Sequence, residues 1–413
     1  MHHATLNRWW TVAAGALGAG VGVGVLVIYT FGAFAAEMAA EFGWSRSVHS
    51  NALTVFLVAS GIGSLLLGQL MDRFGVRRVC AALVAAFGIT VASLALIPPK
   101  IWVLYALFAV IGLTGSAATA MPYAVAIRAL FDRERGLALG LVNFGAGIGS
   151  AIAPYCAKIL AESFGWRGGY IGVGIAGLLP VLGLLLLVRD PASSRKQKTS
   201  QPQEGWLIQL GRPTFWLITI PVAAISIATF GVLGSMVPLL QDRELGAQSI
   251  AIVMSCVGVS SWIARPVVGY ALDRAFAPYV AAASFVFAVG GLVLLTLTDH
   301  IAGTIAAAIL VGFALGSEGD LVTFLVSRYY PPAIYSRVLG AVWVTWAWGG
   351  GIGTFLAGAS DRMFGSYTPA IVVFAAMLTI GIIVVCRLGP YPFPAADKTA
   401  TSLLRTSQKV ASA

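Results

Sequence analysis

Gly68-Gln69-Leu70-Met71-Asp72-Arg73-Phe74-Gly75-Val76-Arg77-Arg78 is a charged, glycine-bounded turn between two apolar stretches, at roughly 47–70 and 77–98. Its glycines permit a tight reversal and close helix packing, and Asp72 is suited to capping a neighbouring helix N-terminus. Arg73, Arg77 and Arg78 hold the turn at one membrane face. Gly269-Tyr270-Ala271-Leu272-Asp273-Arg274 repeats the first half of this turn at an offset of 201. Gly147-Ile148-Gly149 matches Gly351-Ile352-Gly353 at an offset of 204, Phe164-Gly165 matches Phe364-Gly365 at 200, and Gly43 aligns with Gly246 at 203. Four matches in order, at nearly constant offset, identify a duplicated unit.

The unit is made of membrane helices. Of 413 residues, 58% are hydrophobic and 10% charged, with a mean hydropathy of +0.88. Soluble chains average about 25% charged residues. Stretches of the ~20 apolar residues needed to cross the hydrocarbon recur along the whole length. Twelve are read, near 9–36, 47–70, 77–98, 103–128, 136–157, 168–188, 213–240, 248–272, 277–298, 301–327, 338–360 and 367–387. The expected fold is an all-α membrane protein with twelve transmembrane helices in two pseudo-symmetric six-helix bundles. The bundles fall at 1–189 and 213–388, joined by a polar connection at 190–212 and followed by a tail at 389–413. Many of the 48 glycines fall within these helices, where small residues let backbones approach closely. The first stretch is long enough to span and no small-residue cleavage site stands out, so a cleaved leader is not expected.

Charge sets the expected orientation. With the N-terminus inside, the cytoplasmic segments carry 19 of the 26 Lys and Arg, the outer segments carry six, and Arg265 lies within a helix. Both termini are therefore expected in the cytoplasm, in an integral multi-pass protein of the cytoplasmic (inner) membrane. The net charge of +10 is a topology signal, and a nucleic-acid partner is not expected. Cys80, Cys156, Cys256 and Cys386 read as small apolar residues without metal spacing. There is no HExxH, no GxSxG and no phosphate-cradling loop, so neither an enzyme nor a bound cofactor is expected. Glycine-rich helices suit a monomer and a dimer equally.

Arg265, in Ser261-Trp262-Ile263-Ala264-Arg265-Pro266-Val267-Val268-Gly269, stands at bilayer depth. A charge there costs about 2.5–3.5 kcal/mol on the lenient insertion scale, so it needs a polar cavity and an anionic partner. Parallel six-helix halves place a transporter's substrate site near the midplane between them, which fits this position.

The turn Gly68–Arg78 resembles the signature G-x-L-x-D-R-x-G-x-R-R of the major facilitator superfamily, and length, helix count and duplication extend the likeness over about residues 9–388. The resemblance implies alternating access, with Gly68, Asp72, Arg73, Gly75, Arg77 and Arg78 as a latch for the outward-open state. Ala264-Arg265-Pro266 with Gly269 is similar to the A-R-P-x-x-G segment of monocarboxylate porters and the oxalate–formate antiporter group. Tyr29-Thr30-Phe31-Gly32-Ala33-Phe34, Phe42-Gly43-Trp44-Ser45-Arg46 and Glu134-Arg135-Gly136-Leu137-Ala138-Leu139-Gly140 resemble further segments of the same group. That likeness implies transport of a small organic anion, a monocarboxylate or related carboxylate, with a proton, and makes Arg265 the carboxylate ligand. A guanidinium fork matches a carboxylate bidentately. The porters' acid four residues before this arginine is Ser261 here, and their helix 1 lysine is Tyr29. The alternative is a drug or metabolite efflux proton antiporter. Such antiporters carry a glycine-proline step in helix 5, whereas Gly145-Ala146-Gly147-Ile148-Gly149-Ser150 meets no proline until Pro154, and Arg128 lies at the end of its helix.

The chain carries acids in another helix. Glu318 and Asp320 in Gly316-Ser317-Glu318-Gly319-Asp320 lie at a depth matching Arg265, so either is a candidate for proton coupling. Two positions apart on a helix, they cannot face Arg265 equally; Glu318 is favoured for the pair. It reads equally as a proton carrier and as a fixed ion-pair partner. Tyr123 and Asn143 are candidate substrate-binding residues, and helix packing explains each about as well. Trp343 and Trp346 share a helix face by their spacing, which suits a cavity wall for a bulky or aromatic acid; packing or lipid contact suits them too, as it does Trp348. Met121-Pro122 marks an expected kink. His2, His3, His49 and His300 lie at ends or in loops.

Overall fold

The computed structural model describes residues 2–188 and 206–393. Most of the connection at 190–212 and of the tail at 389–413 lies outside the described residues, with Arg189, Arg195, Lys196, Lys198, Lys398, Arg405 and Lys409. The rest is helical, and its elements make twelve crossings among the described residues.

The first span is broken. It runs as His2–Gly20, a π-helical turn Gly24–Ile28, and Tyr29–Phe42. The second is Arg46–Phe74 and the third Val76–Ser93. Gly75, between them, sits at φ 91, where an L side chain would be strained. The fourth span is also broken, into Ile101–Gly115 and Met121–Leu130. The kink expected at Met121-Pro122 is thus a full interruption, with Pro122 in the first turn of the second piece, where no N–H is needed. The two breaks serve each other: Val23 N donates to the Ala118 carbonyl at 2.8 Å. Main-chain groups freed by a break must find partners inside the membrane, and here they do.

Spans five and six lie within Arg135–Leu187 as two helices that follow one another directly. They meet at Gly165, whose φ of 66 and ψ of 174 are not helical. Gly365, its partner in the repeat, has φ 63 and caps span eleven. Spans seven to twelve are Pro213–Asp242, Ala247–Leu272, Ala277–Leu297, Ile301–Tyr329, Tyr335–Phe364 and Thr368–Val385. His300 caps the tenth, its Nδ1 accepting from Ala302 N. The four cysteines are not all core residues: Cys80 is buried, Cys256 is intermediate, and Cys156 and Cys386 are exposed on their helices.

The two halves meet chiefly along spans two and eleven and along spans five and eight. Both crossings are tight at the end that carries the Gly68–Arg78 turn, here the turn side. A Cβ on Gly68 would lie 2.4 Å from the Ser336 carbonyl oxygen, and one on Gly340 2.4 Å from that of Ser64. The duplicate crossing repeats this geometry: Gly269 meets the Gly136 carbonyl, and Gly140 meets the Arg265 carbonyl at 2.5 Å. Two turns beyond Arg265, on its face of the helix, Gly258 has no atom within 4 Å of where a Cβ would stand. Gly24 and Gly32 on the first span are equally open. The tight main-chain contacts between the halves are concentrated on the turn side.

Candidate functional site

Arg265 projects from the eighth span where its own carbonyl packs on Gly140 of the fifth. Its Nη1 donates to the main-chain carbonyl of Asn143 at 2.9 Å. The Asn143 amide crosses the same interface in the other direction, Nδ2 donating to Asp320 Oδ1 at 2.6 Å. Asn143 therefore joins Arg265 of the eighth span to Asp320 of the tenth. Arg265 Nε and Asp320 Oδ2 are buried without hydrogen-bond partners. Asp320, Tyr29 and Glu318 are the groups whose charge bears on Arg265.

Glu318 is held differently. Its Oε2 accepts from Trp346 Nε1 at 2.7 Å, and its Oε1 is hydrogen-bonded with the Thr229 hydroxyl. It is 2% exposed and Asp320 is fully buried. The hydrogen-bonded route from Arg265 leads through Asn143 to Asp320, whereas Glu318, the expected partner, bonds to Thr229 and Trp346. The reason is helical phase: Glu318 points to the seventh and eleventh spans, and Asp320 to the fifth and eighth. Ser261, where the porters carry an acid, is buried with its carbonyl against Gly316. A carboxylate there would enter a tight contact between the eighth and tenth spans.

Other candidates separate cleanly. Tyr29 begins the helix after the π turn, is about half exposed and lies near enough to act on Arg265. Trp343 and Trp346 stack edge to face with centroids 4.8 Å apart, and Phe230 lies 5.2 Å from Trp346. This makes an aromatic wall beside Glu318. Trp348 instead crosses to the second span, its Nε1 3.4 Å from the Val58 carbonyl. Tyr123 is 1% exposed, packed on Gly15 and Gly18 within the first half, and its hydroxyl has no hydrogen-bond partner. It is not among the groups around Arg265 named above.

The turn side carries the residues that the resemblance casts as a latch. Asp72 meets Arg337 in the first turn of span eleven, Oδ2 to Nε at 2.8 Å. The capping expected of Asp72 is performed by its repeat partner: Asp273 Oδ1 and Oδ2 accept from Gly136 N and Leu137 N at 2.7 and 2.9 Å. Burial holds the Asp273 carboxyl above the usual range, against these two bonds. Arg77 and Arg78 are exposed, and Arg73 lies over the Phe74 ring.

A second tie between the halves escaped the sequence reading. Arg328 binds Asp132 Oδ1 at 3.1 Å and its carbonyl at 2.9 Å. Arg135 reaches Ser327 Oγ at 3.1 Å, and Arg128 donates to the Tyr330 carbonyl at 2.7 Å while lying over the Tyr335 ring. Read as loop arginines, these residues gave only orientation. On the opposite side, Glu41 pairs bidentately with Arg167, at 2.6 and 2.7 Å, and accepts from Trp166 Nε1. The Arg167 hydrogen bonds, with that of Trp166, hold the Glu41 carboxyl below the ordinary range. His49 stands at a helix end, as expected: it is buried in the first turn of span two, near the Phe31 and Trp44 rings.

Known proteins share this architecture. Human monocarboxylate transporter 11 is 25% identical over 392 residues, covering 90% of this chain and 81% of its own. A gallate transporter of Pseudomonas putida is 25% identical over 403 residues, covering 86% and 82%. The Escherichia coli fucose:proton symporter superposes with a TM-score of 0.73 at 15% identity, over 93% of this chain and 98% of that one. The profile of the Major Facilitator Superfamily matches residues 12–354. A duplicated helical frame with a charged cluster between its halves, matched by that profile over most of its length, is a membrane transporter and not an enzyme; the chain belongs to the major facilitator superfamily.

Proposed function

We propose that this chain is a secondary active transporter of a small organic anion, a monocarboxylate or related carboxylate, working by alternating access in the cytoplasmic membrane. The observation that carries the reading is Arg265: a guanidinium at mid-depth whose side chain has one main-chain acceptor in Asn143 and a buried, unpartnered Nε. An anion offers it the paired acceptor its fork is shaped for. A cationic solute would meet repulsion at the same point. The monocarboxylate and gallate transporters among the relatives support an acid as cargo.

In this reading the turn side is cytoplasmic, following the excess of Lys and Arg there, and both termini lie inside. The arrangement is then outward-facing, held by Asp72–Arg337, by Asp273 on the fifth span and by the Arg128–Asp132–Arg135–Arg328 cluster. Tyr29 and Asn143 form the first-half wall of the site. Trp343 and Trp346 form an aromatic wall on the other side. Energy comes from a proton moving with the anion, through Asp320 or Glu318 beside Arg265.

A thermal-shift screen of purified protein against mono-, di- and aromatic carboxylates tests the reading. A bound acid at a hundredfold excess over Kd stabilises by about 2.7 kcal/mol, a shift of several degrees. Arg265→Ala is expected to abolish the shift. If no acid stabilises the wild type, or the alanine variant responds equally, the anion reading fails.

A further inference from the structure

The two acids of the tenth span do not have equal freedom to carry a proton, and a count of hydrogens at Thr229 separates them. The Thr229 hydroxyl owns one proton. It lies 2.8 Å from the Ile225 carbonyl, four residues back. It also lies 3.5 Å from the Ser226 carbonyl and in hydrogen-bonding contact with Glu318 Oε1. A helical threonine in apolar surroundings commonly donates to its own i−4 carbonyl. With its proton so committed, the hydroxyl can only accept from Glu318, so the proton between the two oxygens belongs to the carboxyl. Trp346 Nε1–H occupies the other carboxyl oxygen. Every hydrogen-bonding position on Glu318 is then matched by a neutral partner, in a site 2% exposed. An ionised carboxylate there would be a buried charge with no counter-ion bonded to it.

Asp320 has the opposite surroundings. It accepts the Asn143 amide on Oδ1, keeps Oδ2 without a donor, and is linked through Asn143 to Arg265. Few other titratable groups reach this depth from the elements packed on the tenth span. The seventh has none before Asp242, and the ninth has Tyr279 at its turn-side end. The eleventh places Tyr335 and Arg337 on the turn side and Asp361 and Arg362 opposite. The fourth contributes Tyr123 and Arg128, and the fifth Arg135, Tyr155, Lys158 and Glu162, most of them toward the ends. The eighth adds Cys256, Arg265 and Tyr270, the fifth also Cys156, and Tyr29 of the first span bears on Arg265.

We propose that Glu318 is held permanently as the neutral acid, donating to Thr229 and accepting from Trp346, and that Asp320 alone gains and loses a proton during transport. This rests on the reading of Arg265 as the anion ligand. The charge count follows. The empty site holds Arg265 positive and Asp320 negative. One proton on Asp320 frees Arg265 for one carboxylate, and the loaded site is neutral again. On the other side the carboxylate leaves Arg265 for water, the proton leaves the Asp320 oxygen, and the pair reforms. One proton accompanies each monocarboxylate, so net charge does not cross the membrane.

The test uses full-length protein in lipid vesicles. In infrared spectra at neutral pH the wild type should show the C=O stretch of a protonated carboxyl. That band should be absent in Glu318→Gln and shifted in Thr229→Val, which removes its hydrogen-bond acceptor. Absence of the band in the wild type, or its survival in Glu318→Gln, overturns the assignment without reference to any substrate. Gallate uptake supplies the second readout. Glu318→Gln should keep the wild-type pH profile whatever its rate, because a glutamine still donates to Thr229 and accepts from Trp346. Asp320→Asn should flatten the profile and retain exchange of internal for external gallate. Uptake by the wild type should not respond to an imposed membrane potential. A flattened profile in Glu318→Gln with a normal one in Asp320→Asn reverses the roles, and potential-driven uptake rules out the one-to-one count. If the wild type takes up no acid at all, the transport reading fails while the infrared result still decides where the proton sits.

Discussion

The two halves share a frame and differ at its centre. At the turn side they are close copies: Gly68 on Ser336 and Gly269 on Gly136, Gly340 on Ser64 and Gly140 on Arg265. At mid-depth they part. The first half is uncharged there, and its first and fourth spans are broken and joined by a main-chain bond, Val23 to Ala118. In the second half the seventh and tenth spans run unbroken, and it carries Arg265, Glu318 and Asp320. Arg265 occupies the place that Ser64 takes in the first half, since each offers its carbonyl to the equivalent glycine. The charge therefore stands on a crossing that both halves share. Backbone contacts that close one side tolerate little change, while the side chains that project from them can diverge.

If the frame is truly shared, equivalent glycines should fail alike. A Cβ on Gly149 would lie 1.9 Å from the Gly20 carbonyl, and one on Gly353 2.0 Å from that of Ile227. Gly149→Leu and Gly353→Leu should each cost more than about 3 kcal/mol by overpacking, read as loss of folded protein after detergent extraction. Tolerance of one and not the other would break the symmetry.

The acids of the repeated turn should instead behave unequally. Asp72→Asn leaves Arg337 without its ion pair, and both side chains are under one-fifth exposed, at 13% and 17%. A loss of about 2–3 kcal/mol is expected, just below the range for a fully buried pair. Asp273→Asn keeps a carbonyl oxygen for the Gly136 and Leu137 amides, so about 1 kcal/mol is expected, as for a weakened cap. Thermal unfolding of the two variants reads the difference. Alkylation of a cysteine introduced on the turn-side cavity wall should rise more for Asp72→Asn.

The smallest effect concerns a contact inside the first half, Glu41 with Arg167. The bonded carboxyl titrates below its ordinary value. Its contribution is therefore present above the unfolded value of about 4.3 and lost as pH falls through the lower folded value. Glu41→Gln should lower Tm slightly at neutral pH and leave it equal to wild type in stronger acid. A difference that persists in acid would point to packing of the glutamate stem.

The spans and the duplication were legible because both are written in features that survive local ambiguity: apolar runs of membrane length and a turn repeated with its aspartate and arginine. The broken fourth span was signalled by Pro122. The break in the first was hidden, because glycines at 15, 18, 20, 22 and 24 mark close packing and a weak helix equally. Depth counting brought Arg265, Glu318 and Asp320 to one level, yet their partners depend on which neighbouring helix each faces. Nothing in the sequence says that Thr229 meets Glu318, since a threonine in a membrane helix is ordinarily occupied with its own backbone. Asn143 was chosen for its side chain, whereas half of its contribution comes from its carbonyl.

The bond between Val23 and Ala118 has a consequence for how such a wall can change. It joins main-chain atoms, so any side-chain exchange other than Val23→Pro leaves both of its partners in place. Side chains around the break, from Gly24 to Tyr29, can be exchanged while the joint between the two helices persists. An ester in place of the Val23 amide, or Val23→Pro, would remove the link itself.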